Sequence, residues 1–463
     1  MFQLRTRFAA TCYSYATHNS MPRISLPFPE PKVSANGRKA AITEKESTML
    51  GKKDRCQNMV DDRHIYLLFT VVLAFGALTP LLQGQEPTTL KQAAGTTHIG
   101  TSTGFNGTNG IINGPHVESN RKLILEHFNC IQPAVYPAWG GYWPTEQPAA
   151  VEHYSFWTEP LSSQAEWAEQ NDLYVIHHGI LSPNYYFPKW WSKTNYSSEE
   201  LEQILKKYVQ AVVSVPHVDT WNMFNELFLG DGSYFRDGND EWDNKWMGIG
   251  MEPDASGLTG HAQVNKQHPR FIRIALEHAA RFTRGKLELR EGTTFQNPRK
   301  LDALYQLVLH IKNSGTPLHA IGIQGHLDYD GTYDFDAFQS QVKSFQDAGV
   351  EFYVTELDVG LPKNENPETA DWEKIKPLQE QVYYEFIKAA RQAGVTLISV
   401  WGMTDAPEGG WRGGERALLF SKDYSKKPTY ESVLKALIET GKSGEATSQR
   451  SAEYSPIQKT AVN

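Results

Sequence analysis

The chain has 463 residues, of which 40% are hydrophobic and 21% are charged, so it carries enough apolar material for a large folded core. Its formal net charge is −8, and the acidic excess lies beyond residue 58, because residues 1–58 hold ten Lys and Arg against four Asp and Glu. An acidic folded part argues against nucleic acid and anionic membrane surfaces as partners, whereas a neutral polysaccharide raises no such objection.

The amino-terminal segment is predicted to be separate from the folded part. Residues 1–62 are rich in Pro, Ser and basic residues without periodicity, so we expect them to be disordered or to precede the true start of translation. Residues 63–84 contain an uncharged, mostly apolar run at 66–82, which is typical of a signal peptide cleaved near Gly84. A start at Met49 would put basic residues directly before this run. The sequence therefore predicts a secreted or periplasmic protein, and membrane anchoring by residues 66–82 is the alternative.

Residues 88–440 are predicted to form one domain, an α/β protein with a (β/α)8 TIM-barrel fold, followed by a polar tail at 441–463. Eight β-rich runs alternate with amphipathic helical patterns, which is the count that this barrel needs. Helical patterns include Glu199–Val213, Pro269–Arg281, Leu301–Asn313 and Leu378–Ala393. The predicted strands are Thr97–Thr103, Phe128–Pro133, Leu173–His178, Val218–Asn225, Lys286–Glu291, Ala320–Gln324, Glu351–Glu356 and Thr396–Trp401.

Polar and aromatic residues lie at the ends of these strands, where the active sites of such barrels form. Two carboxylates, Glu226 and Glu356, end the fourth and seventh strands, each after an apolar run. A single carboxylate or histidine at such a position is usually structural, so the joint occurrence carries the inference. The set comprises His178, Asn225, Glu226, Glu291, Gln324, His326, Glu356, Asp358 and Trp401.

A pair of carboxylates at one barrel mouth suits the hydrolysis of glycosides. One carboxylate protonates the leaving oxygen, and the other attacks the anomeric carbon or activates water. A separation of ~5.5 Å between the two carboxyl groups gives the retaining reaction. The acid needs a raised pKa and the nucleophile a low one. His326 is predicted to hydrogen-bond Glu356 and keep it ionised, and Asn225 to bind the sugar 2-hydroxyl.

No metal or other cofactor is predicted. The cysteines are at positions 12, 56 and 130, and Cys130 alone can build neither a disulfide framework nor a zinc site. Along the sequence, no His, Cys or Asp cluster has metal-ligand spacing, and no Gly-rich phosphate loop occurs. We therefore expect a monomer that binds a polysaccharide or oligosaccharide, without nucleic acid and without a required protein partner.

Four motifs resemble those of glycoside hydrolase family 10, the endo-1,4-β-xylanases. Trp221–Phe228 (WNMFNELF) is similar to the family's W-D-V-V-N-E-A-F, Ile321–Leu327 (IGIQGHL) to G-x-Q-S-H-L, and Val354–Val359 (VTELDV) to I-T-E-L-D-I. The segment from Trp401 to Tyr430, which includes Trp411, is similar to the closing pattern W-G-V-x-D…W-R…P-L-L-F-D…K-P-A-Y. The resemblance covers about residues 97–438.

The resemblance implies a single catalytic barrel that cleaves internal β-1,4 linkages of xylan with retention of configuration. It places the acid/base on Glu226 and the nucleophile on Glu356. The predicted substrate-binding residues are Asn225, His178, Gln324, His326, Trp139, Trp401 and Trp411.

The chain departs from the family on the glycone side of the cleavage point. The Glu, Asn and Lys of the family's T-P-E-N-x-M-K-W are replaced by Ala134, Val135 and Ala138, and only Trp139 is kept. After the third strand, Ser182 replaces a tryptophan, and the N-D-Y-N after the fifth strand becomes R-E-G-T at 290–293. Loss of such donors changes specificity, because a site built around sugar hydroxyls discriminates by them.

These departures leave alternatives open. A non-xylan β-glycan or glycoside is a possible substrate, and a catalytically inactive carbohydrate-binding barrel is a further alternative. The rebuilt glycone wall is predicted to consist of Tyr136, Trp139, Tyr142 and Trp143. In the stretch 228–258, aromatic residues either stack on leaving-side sugars or pack in their own loop; these are Tyr234, Trp242 and Trp246.

Overall fold

The computed structural model describes residues 86–104, 110–135, 142–292, 295–363, 372–405 and 411–441, and the backbone of 442–453. Within these ranges, no helix is both long and apolar enough to cross a membrane. The predicted extension at 1–62 and the predicted signal or anchor at 63–84 lie outside the described residues, as does Trp139.

Eleven strands occur in the described residues, and eight of them form a parallel barrel. In chain order, the strands are β1 (His98–Ser102), β2 (Cys130–Gln132), β3 (Tyr174–Val175), β4 (Thr220–Asn225), β5 (Met251–Pro253), β6 (Gln267–Pro269), β7 (Lys286–Glu291), β8 (Ala320–Ile323), β9 (His326–Asp328), β10 (Glu351–Gly360) and β11 (Leu397–Val400). Around the barrel, neighbouring strands follow the order β3, β2, β1, β11, β10, β8, β7 and β4.

The barrel closes between β3 and β4. Parallel bridges join Ile176 to Thr220 and Leu181 to Phe224, and the His177 N–H donates to the Thr220 carbonyl at 2.7 Å. The predicted (β/α)8 barrel is therefore confirmed, and each of its eight strands lies where the sequence indicated. Outside the barrel, β5 and β6 form an antiparallel hairpin. Short β9 pairs with the end of β10 beyond the barrel.

Helices cover the outside of the barrel. Helix α5 (Ser198–Val213) begins with a capping box, which stabilises its first turn. The Ser197 side chain accepts from the Glu200 N–H, and the Glu200 side chain accepts from the Ser197 N–H. Its apolar residues recur at helical spacing and are buried. The described helices are α1 (Leu90–Ala94), α2 (Val117–His127), α3 (Glu159–Glu169), α4 (Lys189–Lys193), α5 (Ser198–Val213), α6 (Arg270–Ala279), α7 (Pro298–Asn313), α8 (Phe335–Asp347), α9 (Trp372–Gln392) and α10 (Pro428–Glu453).

Part of the main apolar core lies among the segments that follow β2, β3 and β4. We call it the aromatic cluster, and its members are Trp143, Phe187, Trp191, Tyr208 and Trp246. The ring centroids of Trp143 and Trp191 lie 4.8 Å apart, and those of Trp191 and Trp246 lie 4.7 Å apart. Because all five rings are buried, the cluster packs these segments against one another and against α5.

The predicted role of Tyr142 and Trp143 in a rebuilt sugar-binding wall is wrong. Both side chains are buried, and the Tyr142 hydroxyl lies 2.6 Å from Nε2 of His177. Trp143 is enclosed by the aromatic cluster. Burial of apolar ring surface in the core explains both residues without a ligand.

Candidate active site

The ends of β4 and β8 and the middle of β10 bring the two predicted catalytic carboxylates to one place. The backbone N–H of Glu356 donates to the Gln324 carbonyl at 2.7 Å, and Nε2 of Gln324 donates to Oε1 of Glu226 at 2.9 Å. Gln324 thus contacts both residues. Glu356 is buried, whereas Glu226 keeps partial contact with solvent.

Glu226 has an unusual backbone conformation. Its φ is 61°, in the left-handed region that residues other than glycine rarely adopt. The N–H groups of Leu227 and Phe228 donate to Oε2 of Glu291 at 2.8 and 3.1 Å, and Lys300 pairs with Glu291 at 2.6 Å. The buried Glu291 carboxylate therefore holds the chain just after Glu226 in place and offsets a strain of order 1 kcal/mol or more.

Tyr185 is a contact of Glu226 that the sequence did not predict. Its hydroxyl donates to Oε2 of Glu226 at 2.8 Å. Its ring lies 3.9 Å from that of Tyr186 and 4.6 Å from that of Trp242, measured between centroids. Trp242 is 41% exposed, so an aromatic surface leads outward from the carboxylate.

Three basic side chains surround the carboxylate of Glu356. Oε1 lies 3.1 Å from Nη1 of Arg290 and 3.3 Å from Nδ1 of His178, and Oε2 lies 3.3 Å from Nε2 of His326. Burial alone would favour the neutral acid, but the charged side chains of His326 and Arg290 oppose this and hold the pKa of Glu356 below its usual range. The predicted contact between His326 and Glu356 is present, and the carboxylate is ionised at neutral pH.

His326 is held in its charged form from the side opposite Glu356. Burial disfavours the charge, but the carboxylates of Asp358 and Glu356 outweigh it and raise the pKa of His326 to about 9. Nδ1 of His326 lies 2.9 Å from Oδ2 of Asp358, which also accepts from Nε1 of Trp411 at 3.0 Å. Arg412 completes the group, with Nε 3.2 Å from Oδ1 of Asp358.

The remaining predicted substrate-binding residues lie beside these carboxylates. The His178 and Trp401 rings are 4.8 Å apart, and the ring of Trp411, which is 58% exposed, lies 4.8 Å from that of His326. Asn225 is fully buried, and its Nδ2 has no hydrogen-bond partner among the described residues. A buried amide donor without a partner beside Glu226 fits the predicted contact with a sugar hydroxyl.

Comparison with known families places this site in context. Residues 90–436 match the model described as Glycosyl hydrolase family 10. The chain belongs to glycosyl hydrolase family 10. It is 25% identical over 347 residues to endo-1,4-beta-xylanase B of Thermotoga neapolitana, an alignment that covers 73% of this chain and 88% of that protein. It is also 25% identical over 289 residues to endo-1,4-beta-xylanase A of Humicola insolens, covering 60% and 67%.

The fold is that of solved family 10 structures. Native xylanase 10B from Thermotoga maritima superimposes with a TM-score of 0.62 at 24% identity, covering 77% of this chain and 100% of that one. Xylanase 10B from Thermotoga petrophila RKU-1, solved in complex with xylobiose, gives 0.62 at 23% identity, covering 77% and 99%. The chain is thus a glycosidase of family 10 on the barrel that the sequence predicted.

Two of the departures from the family 10 motifs contribute to the site. Arg290, in the segment that replaces N-D-Y-N, contacts Glu356. Gly292 follows it, and a Cβ at Gly292 would lie 2.4 Å from Oε1 of Gln324. The absence of a side chain at Gly292 therefore leaves the space from which Gln324 reaches Glu226.

The aromatic residues of the stretch 228–258 have different roles. Tyr234 and Trp246 are buried, which favours packing over sugar stacking for these two. Trp242 is exposed beside Tyr185 and is available for stacking on a ligand. The substituted positions Ala134, Val135 and Ser182 are buried.

One cluster of potential metal ligands occurs in the described part of the chain. Asp254, His268 and His310 place ligand atoms within 4.8 Å of one another. Nδ1 of His310 accepts from the Ala255 N–H at 2.9 Å, so its proton is on Nε2, which lies 3.2 Å from Oε1 of Glu252. The hydrogen bonds of this cluster join the β5–β6 hairpin to α7. The three residues are far apart in sequence, so their spacing gave no signal.

The charge on His326 should make stability depend on pH. Its folded-state pKa of about 9 exceeds the ordinary histidine pKa of 6.5, so its contribution is full below pH 6.5 and is lost as the pH rises through 9. We expect His326→Gln to lower the free energy of unfolding by about 1–3 kcal/mol more at pH 6 than at pH 9.5. Urea unfolding at both pH values measures this, with the half-exposed His217→Gln as the control. An equal loss at both pH values would contradict a charged His326.

Proposed function

We propose that this family 10 glycosidase cleaves internal β-1,4 linkages of xylan or a related plant β-glycan by double displacement. Glu356 is the nucleophile and Glu226 the general acid/base. The observation that carries the proposal is the contrast between the two carboxylates. Glu356 is buried and kept ionised by Arg290 and His326, whereas Glu226 is partly exposed and contacts Tyr185 and Gln324.

This contrast supports different roles for the two carboxylates in a two-step reaction. In the first, Glu226 gives its proton to the glycosidic oxygen while a Glu356 oxygen attacks the anomeric carbon, so that the glycosidic bond breaks and a glycosyl ester forms. In the second, Glu226 takes a proton from water, which attacks the same carbon and releases Glu356. The configuration at the anomeric carbon is inverted twice and therefore retained.

The choice of xylan draws on the relatives, which are named endo-1,4-beta-xylanases. The second candidate is the same reaction on a non-xylan β-glycan. It is favoured by the small, buried Ala134 and Val135, which stand where the family motif has Glu and Asn side chains that bind sugar hydroxyls. A site without those donors rejects a differently substituted sugar less strongly.

A panel of polysaccharides tests the substrate, and NMR of the first product tests the mechanism. We expect xylan to be cleaved to oligosaccharides whose new reducing ends are β at first. Preference for another backbone would favour the second candidate, and an initial α product would contradict double displacement. Binding of glycans without any product would support an inactive carbohydrate-binding barrel instead.

Tyr185→Phe should impair the cleavage of poor leaving groups selectively. The change removes the hydroxyl that bonds Glu226 but keeps the ring beside Trp242. We expect kcat/KM to fall by about tenfold on an oligosaccharide, since a charge-assisted hydrogen bond is worth roughly 1.5–3 kcal/mol. A dinitrophenyl glycoside needs little protonation and should be affected much less. Tyr196→Phe, which removes a hydroxyl that bonds Tyr154, serves as the matched control. Equal losses on both substrates would contradict a role through Glu226.

We further propose that the protein is exported by the apolar run at 66–82 and acts as a monomer. The composition of that run supports export, because it is uncharged and is followed by small and polar residues. Amino-terminal sequencing of protein recovered from culture medium tests cleavage near Gly84. Retention in the membrane fraction would favour the anchor, and sedimentation measures the oligomeric state.

A further inference from the structure

A buried ion pair lies within the barrel beneath Glu356. Glu288 and Arg290 are two residues apart on β7, so their side chains point to the same side of the strand. Nε and Nη2 of Arg290 donate to Oε1 and Oε2 of Glu288, each at 3.0 Å, and both side chains are fully buried. A Cβ at Gly322 on the neighbouring β8 would lie 2.2 Å from Oε1 of Glu288, so the fold leaves space for this pair.

The third nitrogen of Arg290 connects this pair to the catalytic centre. Nη1 lies 2.9 Å from Nδ1 of His178 and 3.1 Å from Oε1 of Glu356. Nη1 carries two hydrogens and cannot accept, so it can donate one hydrogen to each of these two neighbours, both of which are closer than the amide of Gln132 at 3.3 Å. The short contact with a nitrogen that can only donate requires an unprotonated Nδ1, and burial lowers the pKa of His178, which favours the neutral ring. Nδ1 of His178 is therefore the acceptor, and the proton of the ring is on Nε2.

We propose that Arg290 is a positioning residue of the reaction: its two Nη1 hydrogens fix the orientation of the Glu356 carboxylate and the tautomer of His178, with the ring proton on Nε2. The inference rests on the proposed function, because it takes Glu356 as the nucleophile. The opposite tautomer would direct its only N–H at Glu356 and leave no ring donor for a hydroxyl group.

Glu288 makes this arrangement compatible with a nucleophile. It binds two of the three guanidinium nitrogens in a bidentate pair, the strongest geometry for such an ion pair. The positive charge of Arg290 is thereby shared between two carboxylates. Glu356 is oriented by one hydrogen from Arg290 and keeps Oε2 on the side of His326.

The first test is the tautomer of His178 in the wild-type protein, which needs no turnover. Nitrogen-15 NMR of the histidine rings distinguishes protonated from unprotonated Nδ1 and Nε2, and a His178→Gln variant identifies the signal. We expect an unprotonated Nδ1 and a protonated Nε2. A proton on Nδ1 would overturn the proposal.

The second test removes the pair without leaving a buried charge. Arg290→Met/Glu288→Leu replaces both residues by apolar side chains, a change that buried pairs often tolerate. With the fold confirmed by circular dichroism, kcat/KM should fall by about 10²-fold, the effect of misplacing a reacting group. The acid limb of the pH profile should move to higher pH, because one group that holds Glu356 ionised is lost.

The matched control removes an ion pair at the other end of the same strand. Lys286 at the start of β7 pairs with Glu351 at the start of β10 at 2.6 Å. Lys286→Met/Glu351→Leu should leave kcat/KM and the pH profile unchanged. Wild-type kcat/KM and pH profile in a folded Arg290→Met/Glu288→Leu variant would overturn the proposal. If the wild type cleaves no glycan, the proposed function fails, and the tautomer still decides whether Arg290 sets His178.

Discussion

Replacing Glu356 with alanine is expected to lower kcat on an aryl β-glycoside by about 10⁵-fold, the scale on which removal of a covalent nucleophile acts. The loss should appear in kcat for good and poor leaving groups alike, since neither can form the glycosyl ester. The variant should fold, because Arg290 keeps its pair with Glu288 and His326 keeps its pair with Asp358. Steady-state kinetics and thermal unfolding together measure the effect.

Two controls make the Glu356 experiment specific. Glu351→Ala alters a carboxylate on the same strand, half-exposed and paired with Lys286, and should leave kcat unchanged. A small anion such as azide, added to Glu356→Ala, can occupy the vacated space and attack the anomeric carbon directly. The product would then be the α-glycosyl azide. Substantial hydrolysis by Glu356→Ala without azide would rule out its role as nucleophile.

Glu226→Ala is expected to lower kcat by about 10²–10⁴-fold on oligosaccharides, the range that general acid–base catalysis supplies. On a dinitrophenyl glycoside, formation of the glycosyl ester should proceed, because this leaving group departs without a proton. Its hydrolysis should be slow, because no base activates water. The enzyme should therefore release a burst of dinitrophenol and accumulate a covalent intermediate, visible in the mass of the intact protein.

The peptide that carries the added mass identifies the nucleophile in the Glu226→Ala variant. Proteolysis of the trapped intermediate should place the sugar on the peptide that contains Glu356. Asp231→Ala, in the loop after Glu226, is the matched carboxylate control and should show neither the burst nor the added mass. Equal losses for all leaving groups would contradict the acid/base role.

The sequence predicted the barrel well because each strand was marked independently. Apolar runs such as Ala320–Ile323 are buried along their whole length, as expected for parallel strands covered on both faces. It did not predict β9 or the hairpin of β5 and β6. Each of these has three residues, too few for a recognisable alternation, and each is formed through tertiary contacts.

The candidate site was predicted where its residues belong to the recognised motifs, whereas the contacts of Arg290 and Tyr185 were not predicted. Arg290 was considered only as part of a lost motif. The sequence feature that could have revealed Arg290 is the alternation of side chains along Lys286–Glu291, which puts Glu288 and Arg290 on one face of the strand. A barrel normally fills that face with apolar side chains. Tyr185 gave no comparable signal, because its position depends on the loop after β3. Tyr142 and Trp143 were misassigned, since an aromatic residue in sequence does not reveal whether its ring is exposed.

The aromatic cluster has a consequence for engineering the specificity of this enzyme. Trp143, Trp191 and Trp246 come from the segments that follow three different strands, and Trp191 follows Tyr185 by six residues. Replacing one of these segments alone by that of a relative would leave a cavity in the aromatic cluster. Loss of one large aromatic ring would lower the free energy of unfolding by several kcal/mol. The three segments are therefore exchangeable as one cassette, while exposed positions such as Trp242 can be varied one at a time.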